Sequence, residues 1–486
     1  MSLPKVFLSS LLLLPVIIFA GKCPDLAGDL KQKLSSGVTI ESNDPTVTRW
    51  SEYGAPKPAF VVNVAAEKDV AATVKYAVSK NIQFLAQDGG AGWAKTSTID
   101  NCDVVINMRK LNQVTVSGDK TTLTHGGGAI TSEVIDAAYA AGVQVISPNC
   151  NCVGNMGAYL GGGYSRLAGK YGLGVDNLLS VNMVNADGDL RTVTEKSDPA
   201  LWWAIRGAGP NFGVVTSATI KAYEVPQEKN TAWLGGLIFT QDKIEALVTA
   251  INNLKLQSQM AIFLYYATSE GEPNVITFPF CAGCTAEEGK KLFASIYALE
   301  PVADTTAVTP FNEVNAGGDT FCEFGGRKPA YGSGMAKLDP ATWRGIWDDY
   351  VAWLKNPGTE ASTILMEAYS MDKARSISTN SASFPHRNTI NFHGVALPWY
   401  TDAALDGEAE SFANKVRTRL RATDGLGKDS SYINFAHGDE SLEIIYGDSL
   451  SKLKATKAAN DPKNVFNQWF PLSKGRSNQA PATDEA

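Results

Sequence analysis

The sequence predicts an α+β fold, built as two domains and completed by a compact C-terminal segment. Three observations predict it. The 486 residues, 44% of them hydrophobic, exceed what one ordinary core organises. Residues 60–225 alternate short β-rich runs with stretches of helical spacing. Beyond Val225 strands and helices come in blocks, the texture of an antiparallel sheet with one open face. The boundaries fall at 1–20 for an N-terminal address, 21–225 for the first domain, 226–424 for the second and 425–486 for the closing segment.

Taken in order, Phe60–Val64 reads as a strand, and Glu67–Ser79 sets Val70, Val74 and Ala77 at helical spacing. Gln83–Ala86 is a second strand, running into a glycine-rich turn. Asp103–Asn107, Val114–Val116 and Thr122–Thr124 continue the strand pattern. A helix fits Thr131–Ala141, with Gly142 as its stop. Leu178–Asn185 and Val214–Tyr223 are strands, and Asp187-Gly188 is a hairpin turn before Leu190. In the second domain Leu234–Phe239 and Ala261–Thr268 alternate like antiparallel strands. Ile244–Leu254, Ala286–Leu299 and Ala341–Leu354 have amphipathic helical spacing. The closing segment carries a helical stretch, Asp448–Ala459, ended by Asp461-Pro462.

The net charge of −7, without basic runs, makes the chain a poor partner for nucleic acid or an anionic membrane. Lys5 precedes the apolar run Val6–Phe19, which Pro15 interrupts and Ala20-Gly21 follows. At about 14 residues it falls short of the roughly 20 that span a bilayer. It reads as a signal peptide cut near Ala20, directing a secreted chain with no later membrane segment. There is no Asn-x-Ser/Thr site, so N-glycosylation is not expected. Seven cysteines follow: Cys23, Cys102, Cys150, Cys152, Cys281, Cys284 and Cys322. An oxidising compartment pairs most of them, and the odd count leaves one out. Cys281-Ala-Gly-Cys284 has zinc-like or redox-like spacing, but no second pair or histidine lies near it in sequence. A disulfide involving one of them is expected there, and no metal.

Three glycine-rich segments carry the chemistry. The first is Gln87-Asp88-Gly89-Gly90-Ala91-Gly92-Trp93, directly after a strand. Glycines let the backbone approach a ligand, and successive amides can form an anion nest for a pyrophosphate. The second runs from Pro148 through Cys150, Cys152, Gly154, Gly157 and Gly161-Gly162-Gly163 to Tyr164. The third runs from Asp198 through Trp202-Trp203, Arg206-Gly207 and Gly209 to Asn211-Phe212-Gly213-Val214-Val215. Its glycines follow a helical segment and lead into a strand, the reverse of the Rossmann order.

Read together, the ordered motifs resemble one family. The run from Gly161 through Lys170-Tyr171-Gly172-Leu173, Asp176-Asn177 and Asp187-Gly188 to Trp202–Gly207 and Asn211–Val215 resembles the berberine-bridge-enzyme-like branch of the vanillyl-alcohol-oxidase flavoproteins. Phe384-Pro385-His386-Arg387 is similar as well. So are Tyr432-Ile433-Asn434-Phe435, Tyr446-Gly447, Leu453, Lys457, Asp461-Pro462 and Asn464-Val465-Phe466. The likeness covers nearly the whole mature chain. It implies a two-part PCMH-type FAD-binding domain, made by the N-terminal region and the C-terminal tail. A central α+β domain on an antiparallel sheet supplies substrate contacts.

By this resemblance Gln87, Asp88, Gly89, Gly90, Ala91, Gly92 and Trp93 contact FAD, the first six wrapping its pyrophosphate. Gly154, Gly157, Gly161 and Gly162 line the flavin, Val214 and Val215 lie near the adenine, and Tyr432 and Asn434 approach the ring. Relatives often attach FAD through a histidine where this chain has Ala91, so that bond cannot form here. A second attachment position corresponds to Cys150, leaving a single cysteinyl link, a buried free thiol or a disulfide open there. The tyrosine that serves many members as base is Phe435 here. The position seven after His386, where some members carry a carboxylate, is His393. A histidine there can act as general acid or base, with Tyr432 as fallback. The likeness also implies a Cys23–Cys102 disulfide.

The resemblance implies an FAD-linked oxidoreductase that passes hydride from a small organic molecule to flavin N5 and then electrons to O2. Its fungal secondary-metabolite character favours a hydroxylated polyketide or alkaloid as substrate. Two alternatives stand: a carbohydrate oxidase acting on a hemiacetal carbon, and a flavin-scaffolded cyclase without net oxidation.

Overall fold

The computed structural model describes residues 26–42, 47–269 and 271–473. The signal-peptide reading at 1–20 and Cys23 lie outside the described residues. The run Phe60–Asn63 is buried throughout and enters a four-stranded sheet ordered 39–42, 60–63, 104–107 and 84–87. The last three pair in parallel. The helix Glu67–Ser79 supplies a crossover between parallel strands and buries Val70, Val74 and Ala77. A second sheet is antiparallel and five-stranded, ordered 114–116, 122–126, 214–221, 178–184 and 190–193. Ahead of its 214–221 strand stands the helix Pro199–Ala208. Pro199 opens it, and the Asp198 side chain accepts from the Leu201 N–H.

The second domain is a nine-stranded sheet. Its central strands run in the order 272–282, 260–269, 363–369, 392–397 and 331–335, all antiparallel. Sequence spacing anticipates the strand at 260–269 but not its neighbours. Six of the seven residues of Thr363–Tyr369 and all six of Phe392–Leu397 are buried, with Leu365 alone partly covered. Strands covered on both faces lose the period-two alternation that announces a strand. The expected strand Leu234–Phe239 is two strands, because the chain turns at Gly235 with φ +152°. The expected helix Ala286–Leu299 breaks at Phe293.

Helices Ile244–Asn253, Pro340–Trp353 and Asp406–Thr423 cover one face of this sheet around Trp343, Tyr350, Ile364 and Met366. The other face is not open, as block texture alone would have it. Leu365, Val395 and Leu397 pack there with Trp50, Ala91, Trp93 and Phe435, which come from the first domain and the tail. The tail is pinned by the buried Lys457 ammonium, which donates to Asn211 O, Phe466 O and Asp461 Oδ2 at 2.7 Å each. A buried cation is tolerable only with such partners. Among the described residues no helix is long and apolar enough to cross a membrane.

Candidate functional site

A cleft opens in the first domain. Phe84, Asp88, Met108, Gly127, Gly157, Val214, Val215 and Phe466 line it. A Cβ on Gly157 would meet nothing within 4 Å, so this backbone faces open space. The first glycine loop approaches the second backbone to backbone: a Cβ on Gly89 would lie 2.6 Å from Cys152 O. Gly90 takes φ +68°, which a side chain rarely adopts. Gln87 does not face outward as a free donor. Its Nε2 donates to Thr48 O at 2.9 Å, and its Oε1 accepts from Arg49 at 3.3 Å.

Gly154, Gly161 and Gly162 serve close packing rather than open wall. Gly154 lies against the Asp88 carboxyl, Gly161 against the Asn434 amide, and Gly162 against the Phe384 and Tyr432 rings. Asn434 Nδ2 donates to Ala158 O at 3.1 Å and to Tyr432 Oη at 2.7 Å, and Tyr432 Oη accepts the Gly163 N–H at 3.2 Å. Burial pushes the Tyr432 phenol up to about 12. The tail thereby holds the second glycine segment in place.

Beyond these glycines the inner sheet face gathers His393 and Tyr432 with Glu367 and Tyr369, which sequence motifs did not single out. Glu367 pairs with His393 on one neighbouring strand and with Phe263 on the other, so the three share a face. Tyr369 Oη donates to Glu367 Oε2 at 2.5 Å and accepts from Asn149 Nδ2 at 2.6 Å. Asn149 Oδ1 accepts the Arg166 N–H at 3.1 Å, which fixes the amide's orientation. Tyr164 stacks on Tyr369 at 5.6 Å and meets His393 edge-on at 4.2 Å and Tyr432 at 4.9 Å. Burial lifts the Glu367 carboxyl to about 7, against the opposing pull of the Tyr369 hydrogen bond and Arg166. Burial depresses the His393 imidazole to about 3. The Trp93 indole N–H and the Tyr164 hydroxyl are buried with no partner. Buried polar groups of this kind ask for a ligand or water.

Cys152 and Cys322 form a disulfide, as do Cys281 and Cys284, and Cys102 is disulfide-bonded. Cys150 is a free thiol. Its Sγ lies 3.5 Å from Cys322 Sγ and 3.6 Å from Cys152 Sγ, and burial pushes its pKa up. One signal for the missed carboxylate was present in sequence: a lone charge inside the apolar run Ile364-Leu365-Met366-Glu367-Ala368-Tyr369. Asn149 and Tyr164 border a segment already marked by its glycines.

A cleft walled by bare backbone and apolar side chains, with unpartnered polar groups along it and beyond it, fits FAD and defines a flavoprotein of the FAD-binding class. The FAD binding domain model matches residues 58–194, and the berberine and berberine-like model matches residues 431–469. An FAD-linked oxidoreductase of Pyricularia oryzae is 32% identical over 437 residues, covering 86% of this chain and 84% of its own. Another, from Penicillium roqueforti, is 30% identical over 445 residues, covering 87% and 86%. Among solved structures, Physcomitrella patens BBE-like 1 superposes with a TM-score of 0.79 at 20% identity, over 93% of this chain and all of that one. A xylooligosaccharide oxidase of Myceliophthora thermophila gives 0.79 at 17% identity, over 93% and 99%. The chain belongs to the berberine-bridge-enzyme-like family of FAD-linked oxidoreductases.

Proposed function

We propose that this enzyme oxidises a hydroxylated aromatic molecule, of polyketide or alkaloid type, with Glu367 as the proton acceptor. The carrying observation is the buried Glu367 carboxyl on the inner sheet face, lifted to about 7 and oriented by Tyr369. A base poised near the working pH combines a usable ionised fraction with proton affinity. His393, which sequence comparison favours, is a weak base under the same burial. An imidazole held near 3 is neutral at physiological pH and has little affinity for a proton. Its place beside Glu367 suits a positioning contact with Tyr164. Tyr432, the fallback, spends its hydroxyl on Gly163 and Asn434.

When bound, FAD supplies a two-electron acceptor for hydride. The chain's own task is to hold the substrate, exclude water and take one proton. Tyr164, Phe263, Tyr265 and Tyr369 give an aromatic wall suited to a flat substrate. Dioxygen is the proposed final acceptor, and Ala91 and the disfavoured Cys150 thiolate support non-covalent FAD. The disulfides support residence in the secretory pathway.

Glu367→Gln tests the reading. We expect turnover to fall by about 10²–10⁴-fold, with flavin absorbance retained and the acid limb near pH 7 abolished. The carboxylate must be ionised to act, so wild-type activity falls as pH drops through about 7. An unchanged limb in this variant would refute the assignment. Product formation without dioxygen uptake would select cyclisation instead.

A further inference from the structure

The second glycine segment leads into a cation that the proposed chemistry leaves unused. Arg166 lies over the Phe263 ring at 5.0 Å and the Phe280 ring at 5.7 Å. Phe263 stands directly opposite Glu367 in the sheet, and Phe280 pairs with Ala261 further along the same strand. The guanidinium therefore rests on the inner sheet face, beside the carboxyl. Its Nη1 donates to Oδ1 of the buried Asn315, whose Nδ2 donates to Pro148 O at 3.4 Å. Nε and Nη2 donate to no described residue, and Arg166 forms no ion pair among those residues. Neither nitrogen is sealed from solvent. Together they make one edge of the guanidinium, and that edge matches a carboxylate with two parallel bonds.

A guanidinium so placed needs a counter-charge, because burial opposes its ionised form. The groups that favour its charge are Tyr265, Tyr369, Glu367 and Cys150. None of them is a standing anion. Burial lifts both phenols and the thiol, and Glu367, at about 7, is only partly ionised at neutral pH. The sheet face around them is aromatic. Tyr265 meets Phe278 at 5.0 Å and Phe321 at 5.9 Å, and each of the three keeps part of its surface. We propose that Arg166 determines specificity at this site, its free edge receiving a carboxylate carried by the aromatic substrate. The substrate class narrows from a hydroxylated aromatic molecule to a hydroxylated aromatic acid. The carboxylate supplies the missing charge, while Glu367 takes the proton of the hydroxyl. This rests on the reading of the inner sheet face as the substrate site, and it deepens that reading.

The test titrates the full-length, FAD-loaded enzyme with two flat probes of one shape, 2-naphthoate and 2-naphthamide. It is run at about pH 6, where Glu367 is largely protonated and does not repel an anion. Binding is read from the change in visible absorbance of the bound flavin. We expect wild type to bind naphthoate about tenfold or more tighter than naphthamide, the effect of a charge-assisted contact in a sheltered site. Arg166→Gln should bring the two probes within about twofold of each other, weakening naphthoate and leaving naphthamide and the flavin spectrum unchanged. Arg166→Lys keeps the charge without the fork, and its preference should fall between the two. The inference is overturned if wild type binds naphthoate no better than naphthamide, a result that needs no variant. It is also overturned if Arg166→Gln keeps the preference, or weakens both probes alike as loss of a packing residue would. Equal binding of both probes would leave the aromatic-face reading standing. Binding of neither probe to wild type would instead bring down that reading, and this inference with it.

Discussion

The cofactor cleft and the inner face of the nine-stranded sheet meet in one interior but are built from different material. In the cleft the binding surface is main chain. Gly89 and Gly157 are useful because they lack a side chain: Gly89 lets the first loop lie against Cys152 and Gly154, and Gly157 leaves open space beside it. On the sheet face the chemistry is in side chains that chain order scatters. Asn149, Glu367 and His393 come from three segments, and register and hydrogen bonds bring them together. The first kind of site tolerates change in side chains but not in backbone. The second tolerates neither a lost hydrogen bond nor a slipped strand, because a one-residue slip turns Glu367 to the opposite face.

The junction between the two regions offers the sharpest way to break that comparison. Arg387, on the sheet side, is wholly buried and grips Asp176 of the first domain with two bonds, at 2.8 and 3.0 Å. It also donates to Ala374 O at 2.9 Å. Asp176→Ala strands this guanidinium without its counter-charge, which costs about 3–5 kcal/mol. Urea unfolding followed by tryptophan fluorescence should show that loss, with flavin released at lower denaturant than in wild type. A change below about 1 kcal/mol would mean that the two regions hold together without this pair.

A smaller effect is expected within the sheet face. The Tyr369 hydroxyl favours the ionised form of Glu367, so removing it raises that acid further. In Tyr369→Phe the acid limb of the pH profile should move upward from about 7, so that activity at neutral pH falls while the plateau above it changes by less than about tenfold. Equal loss at every pH would mark Tyr369 as a packing residue and would detach it from the titration of Glu367.

The same contrast explains what could be read before the fold was known. The glycine loops, the helix–strand order around Gly207–Gly213 and the tail motifs are local patterns, and the strands 60–63 and 104–107 and the helix 67–79 stand where spacing puts them. The sheet face was opaque because its strands are buried on both sides. The run Phe392–Leu397 has no alternation, and Tyr331–Met335 carries two glycines. Counting from His386 therefore drew attention to His393, while the carboxylate beside it sits 26 residues earlier, across a strand pair. Motif spacing carries no information about desolvation. Burial depresses the His393 imidazole and lifts the Glu367 carboxyl, and it became visible only with the packing.

Cys150 offers the mildest perturbation, because it stands in a glycine-loop segment yet faces side chains of the other region. Its neighbours already pair with each other: the Cys152–Cys322 disulfide joins the second glycine segment to the second domain and leaves Cys150 as the free thiol beside it. A cysteine acts as a nucleophile only as thiolate. Burial, and then the nearby carboxylates Asp319 and Glu367, disfavour that form against the opposing pull of the Cys152 amide and Arg166. Acid precipitation of the wild-type enzyme should therefore leave the yellow colour in the supernatant, and Cys150→Ala should bind FAD as the wild type does. A wild-type pellet that stays yellow, and bleaches in the variant, would show that bound FAD meets this sulfur after all. The chemistry of the cleft would then reach a side chain as well as the backbone.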